Sequence, residues 1–576
     1  MSIDVLLVNP PYRLVPPFTY DQYEQIDPPR NLAILAAWLE KRGISVAILD
    51  ATILEMSFED MERDIRRLAP RVVGITNRST STFPMVERTA GLVKEIDPTI
   101  PVVVGGTYVS WMPLEAIRRC DDIDYLVVGE GDRQGPDLFE CLLSGRSPDG
   151  IPGLVLRDPL DRDKVRQTPP GPVVETLAEV PFPAYHLVPL EKYVARGERY
   201  ILSLTRGCIF RCEYCTSSFE RGRVRFHAIA DLIAEVTWAY DQGFRYFYFY
   251  DDILTVDRKK AVILCEELIA TNLPIKWHCL TRTEYVDPDL LALMARAGCD
   301  RIAYGVESAS ESNLAMFQRK SRNMRSAFDM TKAAGIRSIA FAVFGMPGET
   351  MADQLKTIRM LKELGPDMVR DFTYKPYPGT RHYAEPDRWG IHITDRDYVR
   401  WSQQDEPVHH TDHLTEEEII EVRVLCSYIF RGHGKVEPGP KFRRKKKVVL
   451  LKTADGGLIY NGHKKEEERR VDLYLNCLKV TELYFEVMLH CDGYHTIEDI
   501  AQKIERLFGY ERTIACRKVE KVLQHAESLG MLTLMPAFLP EDSSESAFAE
   551  VDPARLPAED RILVDPNLER ASMAQR

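Results

Sequence analysis

A chain of 576 residues, 45% hydrophobic and 28% charged, has the make-up of a core-forming globular protein of about three to four domains. A formal net charge of −12 and an isoelectric point near 5.7 argue against a general nucleic-acid binder. No apolar stretch approaches the ~20 residues that span a bilayer, Met1-Ser2-Ile3-Asp4 lacks the basic start of a signal peptide, and scattered cysteines such as Cys120, Cys265, Cys299 and Cys477, mostly in apolar helical contexts, read as reduced thiols of a cytoplasmic protein.

Residues 1–150 alternate strand-like and helix-like patterns. Apolar runs occur at Val5-Leu6-Leu7-Val8, Val46-Ala47-Ile48-Leu49, Val72-Val73-Gly74-Ile75, Val102-Val103-Val104 and Tyr125-Leu126-Val127-Val128, and Asn31 to Arg42 has helical spacing up to Gly43. Continuous apolar strands between helices predict an α/β domain built on a doubly wound parallel sheet, which binds ligands at the carboxyl ends of its strands. Those ends carry Asn9-Pro10-Pro11, Thr76-Asn77-Arg78-Ser79, Gly105-Gly106-Thr107 and Gly129-Glu130-Gly131. The glycines are either tight βα turns or places where a large ligand meets the backbone.

These segments, with Pro28-Pro29-Arg30-Asn31-Leu32 and Leu49-Asp50-Ala51, resemble the cobalamin-binding domain that precedes many radical S-adenosylmethionine enzymes. The resemblance implies cobalamin contacts at Asn9, Thr76, Ser79, Gly105, Gly106, Thr107, Gly129, Glu130 and Gly131. One departure bears on the metal. The Asp-x-His-x-x-Gly signature is missing and the first histidine of the chain is His186, so no histidine of this domain can ligate cobalt from below. The polar run Thr76 to Ser81 is the best local candidate for that face.

Residues 151–194 read as a linker. Residues 195–385 then give six strand–helix units, with strands near Ile201–Leu204, Arg245–Tyr250, Trp277–Leu280, Arg301–Tyr304, Ser338–Phe344 and Arg370–Tyr374. Six units predict a partial (βα)6 barrel, whose chemistry sits on the loops after the strands. The first such loop holds Cys208, Cys212 and Cys215. A cubane iron–sulfur cluster normally takes four cysteines, so three leave one iron open to another ligand. Zinc fits less well, because structural zinc wants four ligands and no Cys or His follows before His227. Asp251-Asp252, Arg282, Glu307 and Met346-Pro347-Gly348-Glu349-Thr350 fall on later loops of the same rim.

This whole region resembles the radical S-adenosylmethionine superfamily. By that resemblance Cys208, Cys212 and Cys215 hold a [4Fe–4S] cluster, with Tyr214 beside the third cysteine, and the open iron binds S-adenosylmethionine, whose cleavage yields a 5′-deoxyadenosyl radical. Asp251 or Asp252 is then expected on the cofactor's amino group, Arg282 on its carboxylate and Glu307 on its ribose. A salt bridge to a neighbouring acid is the alternative for Arg282, and a helix N-terminal charge for Glu307. The Gly-x-Pro-Gly-Glu-Thr turn at 345–350 is expected to be architecture.

Residues 386–442 read as a mostly helical extension, with Thr415 to Tyr428 as its clearest helix. His409, His410 and His413 form a small group, expected to face the surface or a substrate. Arg443-Arg444-Lys445-Lys446-Lys447 is a basic run at a domain boundary. In residues 443–538, Val448-Val449-Leu450-Leu451 and Leu458-Ile459-Tyr460 flank a turn and predict a hairpin. Three helices are expected after it. One is capped by Thr496 and Asp499 and carries Ile497, Ile500, Ile504 and Leu507 on one face; the last lies near Val519 to Leu529. The pattern resembles a winged-helix or PqqD-like domain, which implies a leader peptide as partner; a purely structural cap is the alternative. Residues 539–576 have the composition of a disordered tail.

The two resemblances together imply a cobalamin-dependent enzyme that methylates an unactivated carbon of a small molecule or of a ribosomally made peptide, fed by a flavodoxin- or ferredoxin-type electron donor, with no nucleic acid or membrane as partner. Cyclisation or oxidation with the same cofactors is the alternative. A cluster- or cobalamin-binding sensor with a DNA-binding winged helix is a third reading, disfavoured by the low isoelectric point.

Overall fold

The computed structural model describes residues 2–12, 26–158, 160–216, 222–316, 324–403 and 406–431, the segments 448–453, 456–461, 477–480 and 548–550, and residues 502, 504, 505 and 512. The first sheet is built on the apolar runs. β1 (Val5–Asn9) pairs in parallel with β2 (Val46–Asp50) on one side and β3 (Val72–Asn77) on the other, followed by β4 (Val102–Gly106) and β5 (Tyr125–Val127). Every residue of β1 and β3 is buried, as strands covered on both faces require. Helices such as Arg30–Glu40 and Phe83–Ile96 cover the sheet, with an apolar core on each face. The expected linker adds two antiparallel strands to this sheet, β6 (Leu154–Arg157) and β7 (Val165–Gln167). Leu154, Val155 and Leu156 form an apolar run that continuing the sheet buries. The strand order β2-β1-β3-β4-β5-β6-β7 reverses at β1, so the crevice for a ligand opens between the ends of β1 and β3.

The second sheet starts with β8 (Tyr200–Leu202). A ribbon of β9 (Thr205–Arg206) and β10 (Arg225–Phe226) closes the base of the cysteine loop. Then follow β11 (Tyr246–Phe249), β12 (Lys276–Thr281), β13 (Cys299–Glu307), β14 (Arg337–Phe344) and β15 (Met368–Thr373), all parallel and in chain order. Phe247, Trp277, Ile302 and Ala340 face the largest apolar core, together with Leu264, Leu291 and Ile358 of the surrounding helices. The helix Glu416–Arg431 covers the edge at β15, as an open strand edge demands. Its Arg423 is fully buried against Asp371 (Nη2–Oδ2 3.4 Å).

Residues 386–411 are not the expected helices. A short 3-10 turn ends at Gly390, and β16 (Ile391–Ile393) pairs antiparallel with β17 (His409–Thr411). Between them Tyr398, Trp401 and Val408 enter the core of the first domain, stapling the two sheets together. The expected hairpin is present as β18 (Val448–Thr453) and β19 (Gly456–Asn461), flanked by β20 (Cys477–Val480) and β21 (Phe548–Glu550). Cys477 and Cys299 thus lie on strands rather than helices, and Phe548–Glu550, within the stretch of tail-like composition, pairs in parallel with β18. The basic run 443–447 and the helices expected at 496–507 and 519–529 lie outside the described residues, Ile504 apart. No helix among the described residues is long and apolar enough to cross a membrane.

Candidate active site between the two sheets

A cavity of about 620 Å3 opens at the carboxyl ends of the first sheet and runs to the start of the second. Of the residues expected against cobalamin, Asn9, Thr76, Gly105, Gly106, Thr107, Gly129, Glu130 and Gly131 line it; Ser79 does not. Ser79 instead caps a 3-10 turn and bonds Ser81 and Thr82. Gly106 has φ +124, and a Cβ there would lie 2.0 Å from the Asn77 carbonyl oxygen, so only glycine fits. Asn9 donates through Nδ2 to Asp50 (2.8 Å), which Tyr193 also bonds (2.6 Å). This leaves the buried Asn9 Oδ1, and Trp38 Nε1 on the same wall, without hydrogen-bond partners. Buried polar atoms rarely stay unpaired. A corrinoid, whose apolar ring is edged with carboxamides, can satisfy both an orphan acceptor and an orphan donor against a bare glycine backbone. The residues present fit it.

The far wall comes from the second sheet: Ile201, Leu202, Ser203, Arg206, Thr216, His227 and Tyr250. Arg206 and Thr216 flank the cysteine loop, so that loop borders the cavity. His227 was missed as a lining residue; its only sequence signal is being the first His or Cys after the triplet. Burial, and the cations Arg206, Arg30 and Arg225, lower its pKa to about 3, so the imidazole is neutral.

Cys208, Cys212 and Cys215 are half-buried and free of disulfides. Burial, then Asp252 and the other two thiols, push the Cys208 thiol up to about 11. An iron centre binding there must displace its proton. Among the described residues no three Cys, His, Asp or Glu side chains gather closely enough for a single ion such as zinc. A cubane takes one thiolate per iron and does not need that convergence, so the three cysteines suit a cluster.

Around the loop, the expected S-adenosylmethionine contacts differ in what occupies them. Asp251 is 3% exposed and accepts from the Leu204 and Thr205 amides (3.2 and 2.6 Å) and the Thr205 hydroxyl, fixing the strand that leads into the loop. Burial raises its pKa to about 7. Asp252, raised to about 6 by burial, makes no hydrogen bond among the described residues, and its charge helps to raise the Cys208 thiol, so of the two it is the carboxylate whose acceptor oxygens are not already taken. Arg282 is paired with Glu284 (3.0 Å) and stacks on Phe210 of the cysteine loop at 3.8 Å. Glu307 ends β13 at φ +64, a left-handed conformation uncommon for a non-glycine residue and concentrated at functional sites. Tyr214 packs on the Val343, Met346 and Tyr374 cluster at the ends of β14 and β15. Glu130 meets Arg225 and Arg206 of the second domain in ion pairs.

The three histidines separate. His409 is buried with Nε2 on the Gly345 carbonyl (2.9 Å), whereas His410 stacks on His392, because neighbours on a strand face opposite ways. Glu349 of the Pro-Gly-Glu turn is wholly buried and accepts from Ser308 and Gln354, tying the end of β13 to β14.

Two family models match the chain, a B12 binding domain over residues 21–138 and the radical SAM superfamily over residues 202–361. An uncharacterized methyltransferase of Pyrococcus horikoshii is 31% identical over 427 residues, 71% of this chain and 91% of that one. An anaerobic magnesium-protoporphyrin IX monomethyl ester cyclase of Rubrivivax gelatinosus is 30% identical over 373 residues, 62% of this chain and 66% of that one. The radical S-adenosylmethionine methyltransferase TsrM of Kitasatospora setae, solved with tryptophan and an S-adenosylmethionine analogue, shares the fold with a TM-score of 0.60 at 20% identity, over 74% of this chain and 89% of that one.

Proposed function

The chain belongs to the cobalamin-dependent radical S-adenosylmethionine enzymes, with cobalamin, a [4Fe–4S] cluster and S-adenosylmethionine as its cofactors, and from that premise we propose that it methylates an unactivated carbon of a small molecule held between its two sheets. When bound, the cofactors supply a transferable methyl group and a hydrogen-abstracting radical; the protein supplies binding and orientation. Cys208, Cys212 and Cys215 hold the cluster. Asp252, Arg282 and Glu307 receive S-adenosylmethionine beside it, with Tyr214 packing the loop from behind. Asn9, Thr76, Gly105, Gly106, Thr107, Gly129 and Gly131 cradle cobalamin. His227, neutral and half-buried, offers hydrogen bonding without bringing a charge into the cavity.

One observation carries the reading: a single cavity has the carboxyl ends of the first sheet on one wall and both flanks of the cysteine loop on the other. Relatives named as methyltransferases support methyl transfer. The cyclase relatives favour, as second reading, ring formation or oxidation with the same cofactors. If the region from 443 to 538 is PqqD-like, the substrate is a leader-bearing peptide instead. S-adenosylmethionine labelled in its methyl group decides. A substrate product carrying the label is expected, and 5′-deoxyadenosine formed with an unlabelled product overturns methyl transfer.

A further inference from the structure

The turn Gly129-Glu130-Gly131-Asp132 lines the cavity, and its two glycines, at φ +95 and +81, have only backbone to present to it. Its two carboxylates meet two arginines of the second domain, and Glu130 also accepts from the Val174 amide (3.4 Å). Asp132 bonds Arg206 (Nη1–Oδ2 2.7 Å) and Glu130 bonds Arg225 (Nη1–Oε2 3.1 Å), with Arg206 also 3.6 Å from Glu130. Arg206 and Arg225 are directly paired residues of β9 and β10, the ribbon that closes the base of the cysteine loop, and Arg206 stands two residues before Cys208. The side chains of Asp132 and Arg225 are only 5% and 4% exposed, so water screens these charges little. Burial would raise the Glu130 pKa, but Arg225 and Arg206 outweigh it and hold it low, so the carboxylate stays ionised.

We infer that Glu130 and Asp132 are positioning residues that couple the cobalamin cavity to the iron–sulfur loop. A ligand pressing on the 129–131 backbone shifts or fixes the two carboxylates, and through their arginines fixes the ribbon from which the cysteine loop springs. Each cofactor then favours the arrangement the other needs, and coupling of this kind is reciprocal. The inference rests on the cofactors and not on which reaction follows.

The test is an absorbance titration of the full chain with hydroxocobalamin, once with the cluster reconstituted and once after its removal by chelator. The cluster is expected to tighten cobalamin binding about fivefold or more. In the double variant Glu130→Gln, Asp132→Asn the gain is expected to shrink to about twofold or less, while Asp132→Glu, which keeps the charge, retains most of it. Iron release to the chelator should correspondingly slow when cobalamin is bound to the parent, and not in the double variant. Equal affinities with and without the cluster in the parent overturn the inference even if the variants do not fold, as does full coupling in a folded double variant. No cobalamin binding in either form of the parent overturns the cofactor assignment as well.

Discussion

Replacing Gly106 with alanine is expected to damage the cobalamin domain where Gly105→Ala, one residue away, does not. Gly106 sits at φ +124 and ψ −165, a region open essentially to glycine alone, which costs about 1–3 kcal/mol for another residue. The added Cβ would lie 2.0 Å from the Asn77 oxygen and 3.0 Å from the Asn77 nitrogen. Both are backbone atoms of the register partner on β3, so relief requires the strands to part. Overpacking adds about 1–3 kcal/mol. The loss, roughly 2–6 kcal/mol, is a large share of the ~5–15 kcal/mol that holds a domain together. At Gly105 the φ is ordinary, and a Cβ meets only Val127, at 3.8 and 3.9 Å, so its cost should stay within about 1 kcal/mol. Urea unfolding of the cofactor-free protein, with hydroxocobalamin titration of each variant, measures both effects. Unchanged stability and full cobalamin binding in Gly106→Ala would refute the reasoning.

Alanine at Cys208, Cys212 or Cys215 should each abolish bound iron and sulfide in a reconstituted sample while changing cofactor-free stability little, since the thiols are small and only half-buried; elemental analysis and thermal unfolding check this. Arg30→Ala removes the cation paired with Glu235, whose side chain is 6% exposed, and leaves that carboxylate accepting from the Tyr200 hydroxyl (2.8 Å). Stranding a buried charge costs about 3–5 kcal/mol, to be read from the urea midpoint. Burial raises the Glu349 pKa to about 7, above its value in the unfolded chain, so the folded form keeps a proton that the unfolded form has lost. Its contribution to stability is therefore full below the ordinary carboxylate range and falls as pH rises toward 7, by up to about 1.4 kcal/mol per pH unit. Glu349→Gln should flatten that slope in cofactor-free protein; an unchanged slope would assign it to other groups.

The strand–helix alternation was legible because the parallel strands of the first sheet are built on apolar runs and those of the second, though broken by polar residues as in Met368–Thr373, keep apolar residues between helical stretches; the observed strands match the expected ones to within a few residues. The cysteine loop was legible because its ligands are close in sequence. What stayed hidden depends on partners far apart in the chain. Arg206 and Asp132 are 74 residues apart, and nothing local marks them as a pair. Asp251 was expected on a cofactor's amino group and Glu130 against cobalamin, but residue type does not say whether a carboxylate meets a cofactor, a backbone amide or an arginine. The Ile391–Ile393 and His409–Thr411 ribbon was hidden by the brevity of its strands, and with it the burial of His409. Trp111 gives no signal, and nothing local pairs it with Gly379: a Cβ on Gly379 would come within 2.6 Å of the Trp111 side chain, so the loop after β15 presses on a wall of the cavity.

The claim beneath all of this is that one cavity brings cobalamin up against the iron–sulfur loop. Electron paramagnetic resonance on protein loaded with both cofactors and then reduced tests it most directly. The signal of bound cobalamin is expected to be broadened by the spin of the neighbouring cluster, and to sharpen in a Cys212→Ala sample that holds cobalamin alone. A narrow signal, identical in the two samples, would contradict it.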